Sequence, residues 1–129
     1  MAHQTVGDAA RPGLPDDPRA HVTEPIPACP VEVTLAALRG RWTTLVIREL
    51  LHGERTYTEL RRALPALSDK VLSDRLAHLS SVGVLTRRRV GGWPPTTHYD
   101  LTPQGRDLGP VLQALWDWGA THPLPAPSI

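Results

Sequence analysis

Phenylalanine is absent from these 129 residues, and cysteine, methionine and lysine occur once each. A lone cysteine excludes an internal disulfide and any cysteine-rich zinc site. No apolar run is long enough to span a bilayer, which excludes a transmembrane helix. The N-terminus lacks the apolar stretch of a secretory signal, so a cytoplasmic setting is expected. Neither sign of charge dominates: 14 basic against 13 acidic residues leave a net charge of +1. The total charge therefore names no partner. No internal repeat is present, and the length fits one small domain with tails.

What is present is unevenly spread. Of the 14 prolines, six fall in residues 1–30, mixed with Gly, Asp and Ala and without helical or strand period. Residues 1–28 are expected to form a disordered Pro-rich arm. Residues 123–129, with Pro123, Pro125 and Pro127, are expected to form an unstructured tail. The folded domain then covers 29–122. Residues 1–30 carry two basic and four acidic groups, and the remaining 99 carry 12 basic and nine acidic. A charge of −2 in the arm thus masks +3 in the domain.

Periodicity within the domain gives the order of elements. Pro30 suits the first turn of a helix with Val31, Leu35 and Leu38 on one face, stopped by Gly40. Trp42, Leu45, Val46, Leu50 and Leu51 form a second stripe, stopped by Gly53. Thr56-x-x-Glu59 reads as a capping box opening a short helix, Glu59 to Leu64, ended by Pro65. Thr58 is an alternative cap if Thr56-Tyr57 is extended. Ser68 caps a fourth helix with Leu72, Leu76, Leu79 and Val82 inward, stopped by Gly83. Val84–Val90 and Thr96–Leu101 then alternate around Gly91-Gly92-Trp93-Pro94-Pro95, which predicts a β-hairpin. Thr102-Pro103 starts a last helix of about 19 residues, or about 28 Å, which Pro110 is expected to kink or relax by removing one backbone bond.

The predicted fold class is mainly α with a small β-hairpin: a winged helix-turn-helix with an extra C-terminal dimerisation helix. Leu64-Pro65-Ala66-Leu67 is the turn, and the helix after it is the one that enters the major groove in this architecture. Its outward face offers Ser68, Lys70, Ser73, Asp74 and Ala77. Arg62, Arg61 and Arg75 lie nearby, and Arg87, Arg88 and Arg89 lie on the first strand of the wing. Strand alternation sends Arg87 and Arg89 to one side and Arg88 to the other. At least one of the three is expected to be structural, bridging to the core or to Asp100. The DNA-binding set is therefore Ser68, Lys70, Ser73, Arg75, Arg62, Arg87, Arg88 and Arg89, with double-stranded DNA as partner.

The residues also resemble the HxlR-type winged helix-turn-helix transcriptional regulators of bacteria. The resemblance is carried by Cys29-Pro30-Val31, Leu38-Arg39-Gly40-Arg41-Trp42, Tyr57-Thr58-Glu59-Leu60-Arg61-Arg62 and Leu72-Ser73-Asp74-Arg75-Leu76. It continues through Gly83-Val84-Leu85-Thr86-Arg87, Pro94 to Thr102, Gly105 and Trp118-Gly119. Thr96 and His98 depart from the basic and acidic residues often found there, and Val90 from an aromatic. The resemblance implies a cytoplasmic homodimer that binds a palindrome-like operator, expected as a repressor, with the first and last helices as dimer elements. Val31, Leu35, Leu108, Leu112, Leu115 and Trp116 are the dimerisation candidates. The resemblance further implies that a cysteine at the position of Cys29 acts in some members as a sensor of small-molecule oxidants or electrophiles.

Other chemistries find little support. None of the six histidines is paired at metal-ligand spacing, so no metal and no cofactor are expected. No nucleophile, base and orienting group are placed together, so no catalytic residue is assigned and the chain is not expected to be an enzyme. A winged-helix protein–protein adaptor without specific DNA binding is the alternative, but it would not need the exposed basic set. An RNA-binding winged helix would favour exposed aromatics for base stacking.

Overall fold

The computed structural model describes residues 26–122, together with 17, 18, 21, 23, 24, 124 and 125. The expected arm and tail lie mostly outside the described residues. The chain divides into two compact units between Arg39 and Gly40.

In the first unit, a turn closed by Cys29 N–H on the Ile26 carbonyl (3.0 Å) leads into helix α1, Pro30–Leu38. Proline in the first turn sacrifices no helical hydrogen bond, and extended Arg39 ends the helix. None of its residues is buried, and Val31, Val33 and Leu35 are all more than half exposed.

The second unit starts with Gly40 and a left-handed Trp42 (φ 78°), which turns the chain into α2, Thr43–Leu50. Thr43, Val46, Ile47 and Leu50 are its buried face, at the spacing of one helical stripe. A two-residue strand β1, Arg55–Thr56, leads directly into α3, Tyr57–Ala63. The capping box forms: Glu59 N–H donates to Thr56 Oγ1 (3.1 Å), and Thr56 N–H donates to Glu59 Oε1 (2.8 Å). Since Glu59 is the third residue of the helix, α3 starts two residues before the expected Glu59. Ser68 caps α4, Asp69–Ser81, accepting from Val71 N–H at 3.2 Å. Leu72, Leu76 and Leu79 are buried as their spacing requires.

The hairpin strands are β2, Leu85–Val90, and β3, Thr96–Leu101. The expected two-stranded hairpin is a three-stranded antiparallel sheet in the order β1-β3-β2. Arg55 pairs with Tyr99 and Thr56 with His98 on one side of β3. Leu85 pairs with Leu101 and Val90 with Thr96 on the other.

The expected single C-terminal helix is two helices, α5, Pro103–Arg106, and α6, Leu108–Thr121. Pro110 has no N–H to return to the Arg106 carbonyl, so the ladder breaks where that bond would stand. At 14 residues α6 is about 21 Å long rather than about 28 Å. Val46, Ile47, Leu50, Leu60, Leu72, Leu79, Val84, Leu85, Tyr99 and Leu101 form the core beneath α4 and the sheet. Between α2 and α6 lies an open cleft of about 630 Å³, whose apolar lining includes Leu45, Leu51, Leu112, Leu115 and Trp116.

Candidate nucleic-acid interface

The helix pair α3–α4 is fixed by side chains at its turn. Arg61 donates to the Leu67 carbonyl and its Nε lies 3.1 Å from Asp69 Oδ1, so one half-buried guanidinium holds both the turn and the first residue of α4. Tyr57 Oη donates to Asp69 Oδ1 at 2.9 Å and lies 3.3 Å from Ser73 Oγ. Partial burial, ahead of any single partner, raises the Tyr57 pKa, so the phenol keeps its proton at neutral pH. Glu59 in the capping box is held below the ordinary carboxylate value, mainly by the Thr56 N–H.

Two outward residues of α4 are free of the core. Lys70 is 84 % exposed at its side chain and, among the described residues, pairs only with Asp74, one turn on, at 3.2 Å. An exposed pair of this kind is weak and gives way readily to a phosphate or base. Ser73 is exposed one helical turn after Asp69. The Ser68 hydroxyl is already an acceptor for the helix cap, which leaves its proton for an outside oxygen.

Arg75 is placed differently from its neighbours on α4. Its Nε donates to the Arg41 carbonyl at 2.7 Å, and its guanidinium lies against Gly40. Gly40 has φ 103°, and a Cβ there would press on Arg75 at 3.0 Å, so glycine serves both the turn and the contact. Arg75 thus ties α4 to the segment before α2. Arg62 is exposed on α3 and, among the described residues, makes no ion pair.

On the wing, period two and the register divide the three arginines. Arg87 and Arg89 share the face of Leu85, Tyr99 and Leu101, whose inner end packs on the helices. Both are exposed beyond the core, and among the described residues neither has an ion-pair partner. Arg88 belongs to the other face, where its guanidinium meets Glu54 Oε2 at 2.8 Å. The expected structural arginine is therefore present, but its partner is Glu54. Asp100 is taken by Arg106 at 2.9 Å. Glu54 Oε2 also lies 2.8 Å from His98 Nδ1, so the loop before β1 is fastened to both wing strands. At the tip, Trp93 is 93 % exposed.

The sites proposed for assembly are split. Leu115 and Trp116 are 55 % and 62 % exposed, and Leu108 is partly exposed. Leu112, also among the dimer candidates, is only 8 % exposed in the single chain. Trp118, not among them, is 56 % exposed and stacks on His122 with ring centroids 4.5 Å apart. Cys29 is half-buried at the N-cap of α1 and carries no capping bond.

Residues 37–125 match the family model of the HxlR-like helix-turn-helix. The HTH-type transcriptional regulator YtcD of Bacillus subtilis (strain 168) is 36 % identical over 92 residues, 71 % of this chain and 73 % of that protein. The chain belongs to the HxlR-like helix-turn-helix family. Its solved neighbours agree. The redox regulator HypR in its oxidised form is 30 % identical, with TM-score 0.66 over 75 % of this chain and all of that one. Quinone-bound YodB from Bacillus subtilis is 28 % identical, with TM-score 0.63 over 71 % of this chain and 97 % of that one. This HxlR-like chain is thus an HTH-type, DNA-binding transcriptional regulator with a winged helix-turn-helix fold. Among the described residues no helix is long and apolar enough to cross a membrane.

Glu54, Tyr57, His98 and Arg106 hold this HxlR-like site together and were not among the site residues expected from the sequence. Tyr57 and His98 stand in the motifs that carry the family resemblance, which was their only signal. Glu54 has none, because its partners Arg88 and His98 are remote in sequence, and Arg106 has none although Asp100 is only six residues away.

Proposed function

We infer that this regulator is a homodimeric repressor that binds a palindrome-like operator, with α4 in the major groove and the β2–β3 wing along the backbone. One observation carries the reading. The exposed N-terminal face of α4, with Ser68, Lys70 and Ser73, sits on a helix that packs directly on β2, where Arg87 and Arg89 are exposed and, among the described residues, without an ion-pair partner. Helix residues reach base edges, while arginines on a neighbouring strand neutralise phosphates. The protein acts by binding rather than by catalysis, in the cytoplasm. The exposed Leu115 and Trp116 of α6, with Val31 and Leu35 of α1, supply the dimer surface.

Cys29 is proposed as the site at which an oxidant or electrophile weakens DNA binding. The support is its place at a helix start and the redox and quinone chemistry named for HypR and YodB. With one thiol per chain, the products open to it are a bond between subunits, a mixed disulfide with a small thiol, or an alkyl adduct. Genome-wide footprinting of the protein in its own cell tests the function. Discrete protected sites upstream of genes that are derepressed on deletion are expected. Uniform occupancy without site preference would refute a sequence-specific regulator. For Cys29, diamide or benzoquinone is expected to lower operator affinity of the parent and not of Cys29→Ser. An equal loss in both would remove the thiol from the mechanism.

A further inference from the structure

The hydrogen atoms of the Tyr57–Asp69–Ser73 network follow from its chemistry. An ionised carboxylate only accepts, so the single Tyr57 proton is committed to Asp69 Oδ1 at 2.9 Å, with the Asp69 carbonyl also near at 3.3 Å. Arg61 Nε lies 3.1 Å from the same carboxylate oxygen. The phenolic oxygen, with its proton spent, faces Ser73 Oγ at 3.3 Å as an acceptor. The Ser73 proton then points inward, toward Tyr57. The same polarity appears in the tyrosine's titration, where burial acts first, the Ser73 bond lowers the pKa and the Asp69 bond raises it.

What remains of Ser73 on the exposed side is oxygen lone pairs. Ser73 is the fifth residue of α4, in the N-terminal half of the helix that reaches base edges. A hydroxyl free to rotate would serve as donor or acceptor and would discriminate poorly. An oxygen whose proton is fixed inward accepts only. In the major groove the hydrogen-bond donors are the adenine N6 and cytosine N4 amino groups, whereas guanine O6 and N7 and thymine O4 accept. We propose that Tyr57 makes Ser73 an obligate acceptor, so that the base facing Ser73 in each half-site is adenine or cytosine. Tyr57 is a positioning residue that need not touch DNA. This rests on the placement of α4 in the groove inferred above.

The test is selection of sites from randomised duplex DNA by the full-length protein and by the Ser73→Ala and Tyr57→Phe variants. The parent is expected to show one position per half-site that loses its preference in Ser73→Ala, and that position is expected to be adenine or cytosine. Tyr57→Phe keeps the ring and releases the serine proton, so guanine or thymine there becomes tolerated within about 3-fold, against a discrimination of roughly 3–10-fold in the parent. If the position is guanine or thymine in the parent, or if Tyr57→Phe selects the parental profile, the proposal fails. A Ser73→Ala profile identical to the parent's also overturns it, while leaving sequence-specific binding intact. Failure of the parent to enrich any sequence would instead overturn the functional reading itself. Should Tyr57→Phe not fold, duplexes lacking that one amino group (purine for adenine, pyrimidin-2-one for cytosine) decide the contact. They are expected to weaken the parent by about 3–10-fold and Ser73→Ala not at all; equal weakening of both contradicts it.

Discussion

Arg87, Arg88 and Arg89 are adjacent in sequence and differ in surroundings, because one lies on the face of the sheet that Glu54 reaches and the other two do not. Removing a phosphate-contacting arginine flattens the dependence of log K on log salt by about 0.9. Arg87→Ala and Arg89→Ala are each expected to show this in a salt titration of DNA binding. Arg88→Ala is expected to keep the parental slope, since its charge is already paired with Glu54. Equal slopes in all three variants would contradict the division. Lys70→Ala is expected to weaken specific binding more than non-specific binding, by about 1–3 kcal/mol of discrimination, if the lysine reads a base. A uniform loss across sequences would make it a backbone contact. Alternation in the sequence showed that the arginines would separate. It did not show which arginine would be paired, because that depends on Glu54, which is remote in sequence. Arg75 illustrates the same limit: its charge and position were visible, its bond to the Arg41 carbonyl was not.

Helices α3 and α4 were legible because their caps are local: Thr56 with Glu59, and Ser68 with Val71. Thr56→Ala is expected to cost about 0.5–2 kcal/mol in denaturant unfolding. Glu59 adds a pH dependence of definite sign. Its folded pKa lies below the unfolded one, so its contribution is present above the ordinary carboxylate value and lost as pH falls through the folded value. Glu59→Gln is therefore expected to lose less stability than the parent on acidification through and below the carboxylate range. Strand β1 was hidden because two residues carry no period, and its existence depends on pairing with Tyr99 and His98. At the junction of β3 and α5 the Thr102 cap and Pro103 in the first turn were legible, and the contacts with Val84 were not. Thr102 N–H and its hydroxyl both meet the Val84 carbonyl, at 3.0 and 3.1 Å, and a Cβ on Gly105 would fall on that oxygen. Gly105→Ala is expected to destabilise by about 2–3 kcal/mol, as overpacking against fixed backbone does.

At the scale of the molecule, α6 is shorter than its sequence pattern suggested and spends Leu112 on its own core, yet Leu115, Trp116 and Trp118 remain exposed. The proposed two-fold dimer would set the recognition helices about 34 Å apart, one turn of DNA. Sedimentation at micromolar concentration is expected to show a dimer, weakened in Trp116→Ala; a monomeric parent would contradict this assembly. Dimer symmetry and readout by α4 and the wing are tested together by the consensus that the full-length protein enriches from randomised duplex DNA. An inverted repeat with half-site centres about 10 base pairs apart is the predicted result, and an unsymmetrical consensus, or none, would contradict it.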